Sequence, residues 1–407
     1  LLVALNPYYA MAALYLTLGA FTALEMVLAN FRIVAPMTGQ IWMRVHMIVL
    51  GGIAQVVFGT LPKYWARRSG MAGPDHATQW RLWGMLNVGI VVSMVGMVSN
   101  RIYMFATGAT ITLLAVTYLF VILWRIGSKG RVENRLMTRF LALGAFYLFL
   151  GITMALTYKV GWPPAPAGPA GAREAHIHAN AWGFINVVVA VSIFEFLPMI
   201  LGRPLVYPTW NRFVWWMLAI GDFLLILGPW WGKPIVTTIG LFPYAAGVVA
   251  MYINIVATVI KAKAPNPVSG WHFITGYFWL ALPAALAPFV MLAGAHLPVG
   301  RIEVVAVQSL ISGWALQIAM ATVPTMLTTL QSGEAPVPCD NGAHKKVLWL
   351  ALALMNSGPA MFWVAGFVMP EHLYSATLAV GYSLIVLAWI PFLARVWRSL
   401  TTSARPV

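Results

Sequence analysis

The sequence predicts an all-α integral membrane protein of about twelve transmembrane helices with both termini cytoplasmic. Three observations carry this. The 407-residue chain is 61% hydrophobic and 9% charged, with a mean hydropathy of +0.81; soluble domains carry about 25% charged residues. Apolar runs of roughly 20 residues, the length that spans a bilayer, recur along the whole chain. The Lys and Arg residues behind the +15 net charge are scattered between those runs. That is the distribution of topogenic charge, not of a nucleic-acid-binding patch.

The expected spans are 8–30, 40–62, 81–100, 103–125, 137–158, 178–201, 211–230, 237–261, 272–294, 302–330, 345–368 and 373–396, within a single membrane domain over 1–407. The seventh is interrupted by Gly221, Asp222 and Pro229, the eleventh by Pro359. Most connections are short. Residues 159–175, rich in Pro and Gly, and 331–344, polar, are expected as flexible loops. Eighteen of the 25 Lys and Arg residues fall at the chain ends or in connections after even-numbered spans, against seven on the other side. The positive-inside bias then puts both termini in the cytoplasm of a prokaryotic plasma membrane. No cleavable signal peptide is apparent, and the first span is expected to insert by itself. A single cysteine, Cys339, excludes an intramolecular disulfide and a Cys-rich metal cluster.

This topology sorts the eight histidines. His46, His176, His178, His296 and His372 gather at the outer face, His272 falls at the inner end of the ninth span, and His76 and His344 lie in inner loops. Ionisable groups at membrane depth are costly and mark function. The stretch Glu174–Pro198 puts two such histidines at the mouth of one apolar run. The second and tenth spans share a pattern: a polar head (His46, Gln308), Gly at +5 (Gly51, Gly313), Gln at +9 (Gln55, Gln317) and Pro at +16 (Pro62, Pro324). The sixth follows with His178, Gly183 at +5, Asn186 at +8 and Pro198. The ninth keeps only His272 and Pro288. Glycine across the helix from the polar head admits a flat ring or a neighbouring helix. Repeats build both transporters and redox proteins.

An intramembrane histidine binds haem iron or copper, relays protons, or hydrogen-bonds a neighbour. His176 and His178 are two residues apart and so point roughly 200° apart on a helix. From a regular helix they serve two sites, one on each face; a frayed first turn would let both bind one copper.

The H-x-H at the outer end of a long apolar helix, with Gly at +5, resembles helix ten of haem–copper oxidase subunit I. The run Val45–Trp65 is similar to that family's second helix and closer still to the NnrS-type membrane haem–copper proteins. The resemblance implies that His46 and His178 are axial ligands of a low-spin haem b, and His176 the proximal ligand of a second haem. Copper is possible, with His296 a further metal-ligand candidate. The oxidases place a copper-binding histidine trio between the two helices; here that interval holds only His76, which removes the oxygen-reducing copper site.

Arg44, two residues before His46, is a candidate partner for a haem propionate or an interfacial snorkelling residue. Trp182, four residues after His178, is a candidate for packing a porphyrin edge or another helix. Glu25, Glu195 and Asp222 fall within spans as proton-relay groups or neutral hydrogen-bonded carboxyls. There is no Walker loop, no C-x-x-C-H and no dinucleotide fingerprint. The expected function is that of a membrane haem b protein in respiratory electron transport, or in nitric oxide- or oxygen-related redox chemistry, working with other membrane or extracytoplasmic redox subunits. If it is an enzyme, it is an oxidoreductase subunit without the copper trio. The alternatives are a proton-coupled transporter and a non-catalytic anchor subunit of a redox complex.

Overall fold

The computed structural model describes residues 6–37, 39–130, 135–262, 267–293, 297–323 and 343–402. Among the described residues, twelve helices are long and apolar enough to cross a membrane. They are α1 (Pro7–Asn30), α2 (Ile41–Arg68), α3 (His76–Val98), α4 (Ile102–Lys129), α5 (Arg135–Val160), α6 (Gly168–Leu201), α7 (Trp210–Trp231), α8 (Pro234–Lys261), α9 (Val268–Val290), α10 (Gly300–Val323), α11 (Lys346–Phe367) and α12 (Glu371–Thr401). Local chemistry sets several ends. Asn6 accepts the Tyr8 N–H at 3.2 Å in front of Pro7 to start α1, and Asp75 accepts the Thr78 N–H at 2.7 Å to start α3. Gly202 and Gly232, both at φ 63°, end α6 and α7 in the left-handed conformation that glycine adopts without strain.

The helices form three units of four: α1–α4, α5–α8 and α9–α12. In each unit the second helix receives an aromatic ring of the first against a glycine. A Cβ on Gly51 would lie 2.4 Å from the Tyr15 ring, one on Gly183 2.7 Å from Tyr147, and one on Gly313 2.7 Å from Trp279. Tyr15, Tyr147 and Trp279 are equally spaced in the chain. The third and fourth helices of each unit close on a glycine pair: Gly89 with Gly108, Gly221 with Gly240, and Gly358 with Gly381, where each approach brings one backbone against the other. Small residues permit this, and in lipid such contact drives helix association.

The repeated pattern of the second, sixth and tenth spans is therefore one part of a full threefold plan. The structure aligns α9 with α1 and α5 rather than with α2. The three equivalent helices also share a backbone feature. A seven-residue π-helical stretch occupies Met47–Ile53, Ala179–Ile185 and Leu310–Leu316. These follow directly on His46, His178 and Ser309. Beyond each, a fully buried amide ties the helix to neighbours. Gln55 Nε2 donates to Asn87 of α3 at 2.7 Å, Asn186 Nδ2 to Tyr244 of α8 at 3.3 Å, and Gln317 Oε1 accepts from Thr275 of α9 at 2.6 Å. α6 and α10 are the most enclosed spans, with 67% and 78% of their central windows buried.

The seventh and eleventh spans are found as expected, as continuous helices Trp210–Trp231 and Lys346–Phe367, despite their Gly, Asp and Pro residues. One expectation changes. The loop expected at 159–175 is helical from Gly168 onward, so His176 and His178 stand two turns and more inside α6 rather than at its mouth. The stretch is poor in large apolar residues, so it reads as loop, but Pro169 suits a first turn. Ala172 and Ala175 are fully buried, and Gly171 abuts the Pro229 carbonyl of α7. Pro324, and the loop expected at 331–344, lie outside the described residues.

Gly96 and Gly84 test this packing on one helix. A Cβ at Gly96 would come 2.3 Å from the Phe105 backbone nitrogen, whereas at Gly84 it would meet nothing within 4 Å. Gly96→Ala is expected to destabilise the protein by about 1–3 kcal/mol through overpacking. Gly84→Ala should be neutral or stabilising by up to about 1 kcal/mol. Thermal unfolding in detergent compares the two.

Candidate metal centre between the inner helices

α2 and α6 meet through two imidazoles. The rings of His46 and His176 are 6.1 Å apart, centre to centre, and 7° from parallel. Each spends Nδ1 on a backbone carbonyl: His46 on Trp42 of its own helix at 2.8 Å, His176 on Gly151 of α5 at 2.7 Å. A carbonyl only accepts, so Nδ1 carries the proton and Nε2 is the free, unprotonated nitrogen of each ring. That is the tautomer of a metal-ligating histidine with its outer nitrogen anchored. Two imidazoles bound on opposite sides of one metal through bonds of about 2.0–2.1 Å have ring centres about 6.3 Å apart.

Side chains around the pair hold it in place. Trp42 stacks on His46, with ring centres 4.5 Å apart. Asn180 donates to the His176 carbonyl at 2.8 Å and lies against its Nδ1. A Cβ on Gly151 would meet Asn180 at 2.3 Å. Thus a glycine on α5 both offers the carbonyl and makes room for the brace. Neither Trp42, Gly151 nor Asn180 is singled out by sequence reasoning. Trp42 and Asn180 do stand four residues from His46 and His176, the spacing that puts them on the same helix face.

The partner of His46 is thus His176, not His178. His178 is turned the other way, as two residues on a regular helix require, and donates its Nδ1 proton to Leu225 of α7 at 2.6 Å. The helix is regular through both histidines, so they do not converge on one ion. Among the described residues no three His, Cys, Asp or Glu side chains gather as a metal cage. Two imidazole nitrogens without a third protein ligand among the described residues would suit a metal whose remaining ligands belong to a macrocycle. His296 lies outside the described residues. His372 is exposed at the start of α12, and His272 is buried, its Nδ1 3.3 Å from Gln317.

Arg44 does not snorkel. It is 3% exposed and runs between helices, donating to Thr22 O of α1 at 3.4 Å, Gln308 Oε1 of α10 at 3.2 Å and Tyr382 OH of α12 at 2.8 Å. Its guanidinium also lies over the Tyr382 ring. This contact repeats the histidine pair. His46, His178 and Gln308 are equivalent heads, each five residues before its glycine. Arg44, His176 and Ala306 stand two residues before those heads. The head of α2 meets the earlier residue of α6 (His46 with His176), and the head of α10 meets that of α2 (Gln308 with Arg44). By the same relation the position equivalent to a partner of His178 is Ala306, which carries no ligand atom.

Of the intramembrane acids, Glu25 accepts the Met37 N–H in the loop after α1 at 3.0 Å. Glu195 accepts from Tyr64 OH at 2.5 Å with Arg68 at 3.6 Å, tying α2 to α6 at the end opposite the histidines. Trp182 packs edge-on against Tyr244 of α8, ring centres 5.3 Å apart. The chain matches no protein-family model and has no detectable similarity to a curated protein.

Truncating Arg44 to Ala strips partners from buried Gln308 and Tyr382 and is expected to cost about 2–5 kcal/mol. Arg173, paired with Glu174 at 2.8 Å on the surface, should cost no more than about 1 kcal/mol on the same change. Denaturation midpoints of the two variants measure the difference.

Proposed function

We propose that the protein is a membrane haem b protein whose haem is held between α2 and α6 by His46 and His176. Its work is one-electron transfer, or redox chemistry of a small gas or oxidant, near the outer face of a prokaryotic plasma membrane, with other redox subunits as partners. The observation that carries the proposal is the near-parallel imidazole pair, its ring centres 6.1 Å apart, with both Nδ1 atoms already committed to backbone carbonyls.

A haem bound there supplies the one-electron couple. The protein's own contribution is positional and electrostatic. The Trp42 and Gly151 carbonyls fix the tautomers and make each Nε2 a stronger donor. Trp42 restricts rotation of the His46 ring, and Asn180 holds the backbone under His176. Tyr15 and Tyr147, seated on Gly51 and Gly183, fix the rotation of both helices and hence where the rings face.

His178 is the ligand for a second haem. Its Nδ1 is anchored and its Nε2 free, and Ala306, at the position equivalent to a partner, supplies no second ligand. A metal held there would have His178 as its protein ligand, and the chemistry it would supply is binding of a small diatomic molecule. Copper shared by His176 and His178 finds no support in their divergent directions.

Absorption spectra of oxidised and dithionite-reduced protein test the proposal. Wild type is expected to show a Soret band and split α/β bands on reduction. His46→Ala and His176→Ala should each lose the low-spin spectrum, while His178→Ala keeps it. Natively purified wild type that is free of haem and takes none up on reconstitution would overturn the proposal.

A further inference from the structure

Asp222, halfway along α7, has no counterpart in the other two units. The residues after the equivalent close-packing glycines Gly89, Gly221 and Gly358 are Ile90, Asp222 and Pro359. The bundle thus closes around an apolar residue here twice, and packing does not call for a carboxyl. The side chain is 0% exposed, and neither oxygen has a hydrogen-bond partner. The titratable groups facing it are phenols: Tyr147 of α5, Tyr244 of α8 and Tyr277 of α9 all lie within electrostatic range. Neither Lys nor Arg is among the groups acting on it.

Two opposing influences meet at this carboxyl. A lone carboxylate in an apolar interior is expensive, which favours the neutral acid. Against this, a directed row of hydrogen bonds ends on Tyr244 of the neighbouring helix. Tyr277 OH donates to Asn186 Oδ1 at 3.2 Å, which orients the Asn186 amide so that Nδ2 donates to Tyr244 OH at 3.3 Å. The Tyr244 oxygen is then an acceptor from Asn186, and its own proton remains to be given elsewhere. No hydrogen bond joins that hydroxyl to Asp222, whose oxygens are both unpartnered; once Asp222 ionises, a phenol proton turned towards the carboxylate would favour the charged form. Asp222 also shares one face of α7 with Ala219 and Leu225, whose carbonyls accept Tyr147 OH at 2.7 Å and the Nδ1 proton of His178 at 2.6 Å. Asp222 therefore stands about one helical turn along α7 from Leu225, the residue that anchors the His178 ring.

We propose that Asp222 is an exchangeable proton-binding site in the membrane interior, near the α7 anchor of His178 and steadied in its ionised form by Tyr244. The ligand is a proton: the carboxylic O–H breaks to give carboxylate and a proton released to water, and the reverse step reloads it. The proposal stands apart from the haem reading, because the carboxyl and its phenols are in place whatever His178 binds.

Infrared spectroscopy of the full-length protein in lipid tests it. Wild type is expected to show the C=O stretch of a protonated carboxylic acid, shifting on transfer to D2O and absent from Asp222→Asn. Tyr244→Phe should keep that band over a wider pH range, because the carboxylate has lost its donor. If Asp222→Asn does not fold, judged by circular dichroism, Asp222→Glu is expected to retain an acid band at a displaced frequency. The proposal is overturned by an acid band unaffected at position 222, by one that does not shift in D2O, or by absence of any such band in wild type. A haem-free protein that still shows the Asp222 band would overturn the haem proposal and leave this one standing.

Discussion

Inside a bilayer a polar side chain has no water to fall back on, so it must find its partner on another helix. In this protein that requirement acts at one recurring place. The head of one inner helix meets the residue two positions before the head of the next. His46 meets His176 there, and Gln308 meets Arg44. Such contacts fix the rotation of α2, α6 and α10 about their axes, because a turn in either direction would put the imidazole or guanidinium against hydrocarbon. The aromatic–glycine seats of Tyr15, Tyr147 and Trp279 oppose the same rotation from the other side. The Glu195–Tyr64 hydrogen bond pins the far end of the α2–α6 contact.

The same backbone plan carries three different chemistries. Two imidazoles face one another at the α2–α6 contact. At α10–α2 the position is filled by Arg44, which bonds three helices at once and leaves no nitrogen lone pair for a metal. In α6 the head is a single imidazole, His178, bonded to Leu225 of α7, and the corresponding position of α10 is an alanine. Differentiation of this kind leaves the surrounding packing alone, since the glycine pairs Gly89–Gly108, Gly221–Gly240 and Gly358–Gly381 lie elsewhere in each unit.

Much of the fold was legible because its signals are local. Most spans are uninterrupted apolar runs, and the Gly–Gln spacing of α2 and α10 is visible by eye. Four-helix periodicity was not, because it rests on single residues that meet across helices, such as Tyr15 with Gly51, and not on extended similarity. The histidines were legible as a cluster, and their opposed directions followed from helical geometry. Which of them faces α2 was not. That depends on the rotation of α6, set by Tyr147 against Gly183 and by Gly171 against α7. The start of α6 was missed for a related reason: Gly168–Ala175 is short of large apolar residues and becomes helical by packing small ones closely.

The π-helical stretches of α2, α6 and α10 have a consequence for how this chain can vary. A π-turn accommodates one residue more than an α-helix needs over the same length. Losing that residue would let the segment relax to ordinary α-helix, yet would turn everything on its outer side by roughly 100° relative to the inner half. His46 would then swing away from α6 while Gln55 kept its place against Asn87. The extra residue works as a phase setting between two halves of one rod. Away from the aromatic seats at Gly51, Gly183 and Gly313, substitution in these stretches can be tolerated, but a change in their length cannot.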